Sequence, residues 1–228
     1  NGGKEHLDVV RHGNERVLRA RLADARFFYM EDQKGTLEQR VERLKSIVFQ
    51  DGLGTMHDKV LRVQAAALQL GKNLQADEAA LKQVARTAYL AKADLVTGMV
   101  CEFTELQGIM GREYAKLNGE DDAVAEGIYE HYLPRFAGDE LPQGMPGRLV
   151  SIADKLDNIV ATFSRGLIPT GSQDPYALRR QAQGILSTLL AAPYGFSLRD
   201  MVQYALEQLN LTDAKVQEKL QQDVAEFF

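Results

Sequence analysis

Cysteine occurs once, as Cys101, so the chain has no internal disulfide and no Cys-x-x-Cys zinc pair. That usage fits a reducing, cytosolic compartment. Long apolar runs are missing too. The longest, such as residues 185–192, fall far short of the ~20 residues a membrane helix needs. No signal peptide is visible. Segments of alternating polarity long enough for a sheet are lacking, and no internal repeat stands out. Neither GxxxxGK[ST] nor a GxGxxG loop after a strand occurs, which removes the common ATP-binding signatures. Positive charge is not in excess either. With 27 Lys and Arg against 32 Asp and Glu, the net charge is −5. Any RNA contact must therefore come from a local basic patch and not from the overall field.

What remains is ordinary globular material. The chain has 228 residues, 45% of them hydrophobic and 26% charged, which suits one large domain or one domain with a helical extension. It starts at Asn1-Gly2-Gly3 without an initiator Met and stops at Phe228 inside a helical pattern, so a piece of a longer protein is expected.

The pattern is helix after helix. Residues 14–33 place Leu18, Leu22, Ala25 and Phe28 on one apolar face, after an extended lead-in of about 12 residues. Thr36 and Gln39 form a capping-box pattern for a helix toward Val48. Thr55 caps a helix over 57–74, Asp77 opens one toward Leu95, and further helices cover 99–117 and 123–134. Leu149, Ile152, Ala153, Leu156, Ile159, Val160 and Phe163 make 147–165 a strongly periodic helix. Helices over 176–192, 198–209 and 213–228 follow, with Ser197 and Thr212 as N-caps of the last two. The expected fold class is all-α. Its divisions are a lead-in and long helix at 1–34, a helical core at 35–168 and a C-terminal helical extension at 169–228.

Four residues that suit metal chemistry occur in a suggestive order: His57, Asp94, His131 and Asp154. The order resembles the HD superfamily of helical metal-dependent phosphohydrolases. In those, His and Asp from several helices hold divalent metal that activates water against a phosphate ester. The doublet here reads Ala93-Asp94, and an alanine methyl has no lone pair to offer. Asp58, beside His57, is read as favourable charge at a helix start. An active hydrolase, buried polar residues bonding one another, and a pocket reused for a nucleotide or an RNA end all stay open. The expectation is an HD-domain-like bundle with a degenerate site and no metal.

Longer strings carry a second resemblance. They are residues 13–29, residues 92–111 with Lys92-Ala93-Asp94-Leu95, Glu130-His131-Tyr132-Leu133-Pro134, Ala153-Asp154-Lys155-Leu156-Asp157, and residues 168–180 from Ile168 to Arg180. Together, over nearly the whole chain and in order, they resemble the β subunit of the bacterial α2β2 glycyl-tRNA synthetases. The resemblance implies a cytoplasmic, tRNA-binding partner of a catalytic α subunit. ATP and Mg would be used on that α subunit, tRNA-Gly would be the RNA, and the HD-like domain would lie inside the β subunit. It implies no cofactor and no catalytic residue in this segment. An anticodon-binding domain would lie outside it. Cys101 departs from the expected smaller residue.

RNA recognition needs cations for phosphates and planar groups for bases. Arg16, Arg19 and Arg26 share one face of the first long helix, with Arg21 off it; the bland alternative is a solvated face paired with Glu15 and other acids. Thr170, Gly171 and Ser172, followed by Arg179 and Arg180, offer hydroxyls, backbone donors and cations near a helix start, a candidate phosphate cradle. The alternative there is a turn in which Asp174-Pro175 opens the helix. Lys59 and Arg62 lie about a turn from His57 and would add charge at the pocket mouth. Phe27, Phe28 and Tyr29 form an aromatic run, with Phe28 assigned to the core. The expected role is orientation of the acceptor portion of tRNA. An active phosphohydrolase and a purely structural α/β bridge are the rivals.

Overall fold

The computed structural model describes residues 6–171, 173–192, 194–209 and 211–228, and among them the architecture is all-α. Eleven helices run in chain order: α1 (Leu7–Asp32), α2 (Leu37–Val41), α3 (Met56–Asn73), α4 (Glu78–Leu90), α5 (Gly98–Glu102), α6 (Ile109–Leu117), α7 (Asp122–Glu130), α8 (Met145–Ser164), α9 (Leu178–Ala191), α10 (Leu198–Glu207) and α11 (Ala214–Phe227). Short 3-10 turns at Glu42–Ser46, Ala93–Val96 and Thr104–Leu106 connect some of them. No described helix is long and apolar enough to cross a membrane.

Helix α8 organises the rest. Apart from Met145, Arg148, Asn158 and Ser164, all of it is buried. With buried residues on every side it has no solvent face, and its polar side chains must find partners within the fold. Helices α3, α4, α9, α10 and α11 surround it, sharing one core that runs from Val63 to Val224 and so crosses residue 168. A second core joins α2, α5, α6 and α7 to residues of α3 and α4, around Leu37, Leu90, Tyr114 and Ile128.

Local chemistry explains many starts and stops. Both Thr36 with Gln39 and Thr55 with Asp58 form reciprocal capping boxes. Asp58 is thus a capping partner as well as favourable charge. Pro146 sits in the first turn of α8, where a missing N–H costs nothing. Just ahead of it, the Glu130 carboxylate accepts from Gln143 N (2.8 Å) and Gly144 N (3.0 Å), tying the end of α7 to the start of α8.

Several expectations need correction. Helix α1 starts at Leu7, so the lead-in is helical from there. Its expected apolar face is not a core face for most of its length: Leu18 and Leu22 are exposed, and only Ala25 and Phe28 pack against the body. The helix expected over 99–117 is broken, because Gly108 has φ +78°, a left-handed conformation outside helical geometry. Asp213, not Thr212, caps α11, its carboxylate accepting from Lys215 N and Val216 N. Helix α9 starts at Leu178, because the Asp174 carboxylate accepts from Leu178 N (2.8 Å) and Arg179 N (2.9 Å).

Candidate nucleic-acid interface

Helix α1 is fastened at one end only. The buried Asp32 carboxylate accepts from Gly98 N and Met99 N (both 2.9 Å) and from Tyr114 Oη (3.0 Å). The Arg40 guanidinium stands 3.7 Å away. Phe28 lies against Gly98, where an added Cβ would come within 2.6 Å of its ring. Arg21 rests its guanidinium on the Phe103 ring, 5.1 Å from the centroid. Residues 7–24 are all exposed, apolar ones included.

At about 100° per residue, Arg16, Arg19 and Arg26 fall within one quadrant of α1, on the side away from Arg21, Phe28 and Asp32. All three are exposed, and among the described residues none has an ion-pair partner. The solvated-face alternative assigned Glu15 to them. Glu15 instead lies 3.6 Å from Arg11, which also stands 3.4 Å from Asp8. Of the aromatic run, Phe27 is exposed, Phe28 packs on the second core, and Tyr29 stacks on Tyr114.

Lys59 and Arg62 are different. Lys59 is 2% exposed and its Nζ donates to Asp157 Oδ2 (2.9 Å) and to the backbone oxygen of Asp154 (3.2 Å). Arg62 Nε donates to Asp157 Oδ1 (2.7 Å). These cations are consumed internally, so the expectation that they charge a pocket mouth for RNA is corrected. A buried charge must be paired, and their partners sit on α8.

The four HD-like residues do not converge. His57 Nε2 faces Glu42, at 3.6 Å. Asp94 Oδ2 accepts from Gly108 N (2.6 Å) and Gly111 N (3.2 Å), bracing the break between α5 and α6. Burial lifts its pKa to about 6 despite those bonds and nearby Lys92. His131 and Asp154 share a cavity with Lys59 and Lys92. Lys92 Nζ donates to Asp154 Oδ2 (3.1 Å), while Lys59 Nζ stands 3.1 Å from Oδ1 without hydrogen-bond geometry. Burial alone would raise the Asp154 pKa, but Lys59 and Lys92 overcome it and hold the carboxyl far below the usual range. Their own shifts diverge. Burial lowers both, yet Lys59, bonded to Asp157 and facing Asp154, ends above its ordinary value, while Lys92, drawn by Asp154 and Asp94 but repelled by Lys59, ends below. The described residues contain no cluster of three or more His, Cys, Asp or Glu placed to hold a metal ion. The idea that the four polar residues bond one another is likewise corrected: Asp94 meets backbone amides, His57 faces Glu42, His131 meets the Ile128 carbonyl and Asp154 meets lysines.

Beside this cluster lies a cleft of about 290 Å³ lined by Lys92, His131, Tyr132, Asp154, Lys155 and Arg180 among others. Lys155 is buried, and its Nζ donates to His131 O, Leu133 O and Ser151 Oγ. Burial, reinforced by Lys92, drops its pKa to about 7. Sequence reasoning missed Lys92, Tyr132, Lys155 and Asp157. The available signal was the run Asp154-Lys155-Leu156-Asp157 inside an otherwise apolar helix, where charged residues require buried partners.

Ahead of α9 the chain bonds to itself. Thr170 and Gln173 exchange backbone hydrogen bonds, and Arg179 Nη2 donates to Pro169 O (3.3 Å). Asp174 occupies the amides expected to cradle phosphate, so the α9 start is already capped by a carboxylate. Ser172 lies outside the described residues. Thr170 and Arg180 are exposed, and among the described residues the Arg180 guanidinium has no protein partner.

The family model described as "Glycyl-tRNA synthetase beta subunit" matches residues 1–228. The chain belongs to this family. It is 54% identical over 212 residues to the glycine–tRNA ligase β subunit of Halothermothrix orenii, covering 93% of this chain and 31% of that protein. The β subunit of Clostridioides difficile is 51% identical over 228 residues, covering all of this chain and 33% of that protein. That of Bacillus subtilis is 49% identical over 204 residues, covering 90% and 30%. The chain thus spans about a third of the length of these glycyl-tRNA synthetase β relatives.

Proposed function

We propose that this chain is a tRNA-binding and tRNA-positioning module of the β subunit of a cytoplasmic α2β2 glycine–tRNA ligase. It holds tRNA-Gly for aminoacylation on the α subunit, which uses ATP and Mg, and carries no covalent step itself. The observation behind this reading is the unpaired face of Arg16, Arg19 and Arg26, displayed on a helix anchored only at its far end. Guanidinium groups held away from carboxylates suit phosphate oxygens, and phosphate contacts fix register without reading sequence. Arg179, Arg180 and Thr170 form a second exposed surface for the same purpose.

The structural-bridge alternative has its own support: Val17, Leu18, Leu22 and Phe27 on α1 are more than half exposed, and apolar surface of that extent favours cover by protein. The hydrolase alternative has none. His57 and Asp94 face elsewhere, and two ammonium groups neutralise Asp154. Within the HD-like resemblance, lysines would thus supply the positive charge a metal would otherwise bring. Charge reversal at Arg16, Arg19 and Arg26 in the assembled enzyme separates the two surviving readings: it weakens RNA binding in one and subunit assembly in the other.

A further inference from the structure

We propose that the cleft between α7, α8 and α9 binds a nucleotide, base edge inward, with Arg180 at its phosphate. This goes beyond the reading of α1 and uses none of its residues; Arg180, named above on a second RNA surface, here takes one specific contact.

Two unpartnered polar atoms carry the argument. His131 is fully buried, and its Nδ1 lies within hydrogen-bond distance of Ile128 O. A carbonyl oxygen only accepts, so Nδ1 bears the proton and Nε2 presents a lone pair. Among the described residues that Nε2 has no partner, and neither has the buried Tyr132 hydroxyl. Buried polar groups are normally satisfied, and both side chains line the cleft. Lys92 adds N–H donors beyond the one it gives Asp154. A ligand complementary to this set brings an N–H for Nε2 and acceptors for the hydroxyl and the ammonium. The Watson–Crick edge of a nucleobase provides both.

Charge and size agree. The cleft, about 290 Å³, is at the lower edge of small-ligand sites and suits one nucleotide. It adjoins a second cleft of about 510 Å³ that shares Pro134 and Arg180. Arg180 stands at both, with no protein partner among the described residues, while Arg135 at the rim is committed to Asp139 (2.9 Å). The free guanidinium is the one suited to a phosphate.

The same chemistry is offered by a free mononucleotide and by the terminal nucleotide of an RNA strand. The test uses the assembled α2β2 enzyme and two probes: 8-azidoadenosine 5′-monophosphate, and a short RNA ending in 8-azidoadenosine. After irradiation, labelled peptides are mapped by mass spectrometry, which separates this cleft from the nucleotide site of the α subunit. The expected result is label within residues 129–135 or 177–184, competed by AMP but not by ribose 5-phosphate, which has the phosphate and no base. Arg180→Glu and Tyr132→Phe should each weaken that labelling roughly tenfold, the scale of one charged or buried contact. Labelling elsewhere should not change. A stronger signal from the RNA probe assigns the site to a strand end, and a stronger one from the mononucleotide assigns it to a free nucleotide. Arg16→Glu should leave the label intact, so failure here and failure of the α1 reading are distinguishable. Absence of label from both segments with both probes overturns the proposal, as does equal competition by ribose 5-phosphate or label that survives both variants.

Discussion

Lys92 Nζ sits 3.1 Å from Asp154 Oδ2, joining the turn after α4 to the middle of the central helix. Both groups are buried, and their attraction operates with little water to screen it. Lys92→Met leaves Asp154 with Lys59 as its only close ammonium. Breaking one side of a buried pair costs about 3–5 kcal/mol, whereas replacing both sides together costs much less. Urea unfolding of Lys92→Met, Asp154→Asn and the double variant should therefore show strong non-additivity. Additive effects would mean that the two groups do not interact.

Asp32 makes a second prediction. It satisfies the first amides of α5 and the Tyr114 hydroxyl, and it is the hinge point of α1. Asp32→Ala should cost roughly 3 kcal/mol, since each cap or buried partner removed is worth about 1 kcal/mol. It should also loosen α1, giving faster limited proteolysis near residues 24–34. Gly98→Ala should produce the same proteolysis by pushing on Phe28, with every Asp32 bond still available.

Stability should depend on pH through two buried groups of opposite sign. Asp94 has a folded pKa of about 6 against an ordinary ~3.9, so between those values the folded state holds the extra proton. Its contribution is full below ~pH 3.9 and lost as pH rises through about 6. Asp94→Asn should remove that loss. Lys155 titrates at about 7 when folded against an ordinary ~10.4, so the unfolded state holds the extra proton between them. Its contribution grows as pH rises from about 7 toward 10, by at most about 1.4 kcal/mol per pH unit. Lys155→Met should flatten that rise. Denaturant midpoints at pH 4, 6, 7.5 and 9 check both signs.

Much of this was legible in sequence, for reasons that particular residues make clear. Thr36 and Thr55 announce their helices because a capping box is a local pattern. The apolar period of α8 announces the helix and one buried face; the burial of its polar side was not legible, because the partners of Asp154 and Asp157 come from α3 and the turn after α4. The break at Gly108 was not legible: a glycine between two helical patterns does not reveal a positive φ. The exposure of Leu18 and Leu22 was not legible either, because a stripe says where apolar side chains point and not whether anything covers them. At the candidate site, the shared face of Arg16, Arg19 and Arg26 follows from spacing alone. The internal use of Lys59 does not, since its partner Asp157 is 98 residues away in sequence. Asp174 as a helix opener was one of two readings, and its bonds to the first amides of α9 decide between them.

Asp174 yields a local test. Asp174→Ala removes the cap on α9 and should cost about 1 kcal/mol. Because it also exposes two amides beside Arg179, it should strengthen rather than weaken binding of RNA at low salt. Weaker RNA binding with a normal melting temperature would contradict the assignment of Asp174 to capping alone.

The central claim is that α1 offers arginines to RNA phosphates. The direct measurement is tRNA-Gly affinity for the assembled α2β2 enzyme carrying Arg16→Glu, Arg19→Glu and Arg26→Glu together, across a series of salt concentrations. The account predicts an intact tetramer, weaker binding, and a salt slope flatter by roughly 2–3, about 0.9 for each phosphate that no longer meets a guanidinium. Unchanged affinity and slope with the tetramer intact would contradict it, and so would loss of the tetramer itself, which would assign this face to protein.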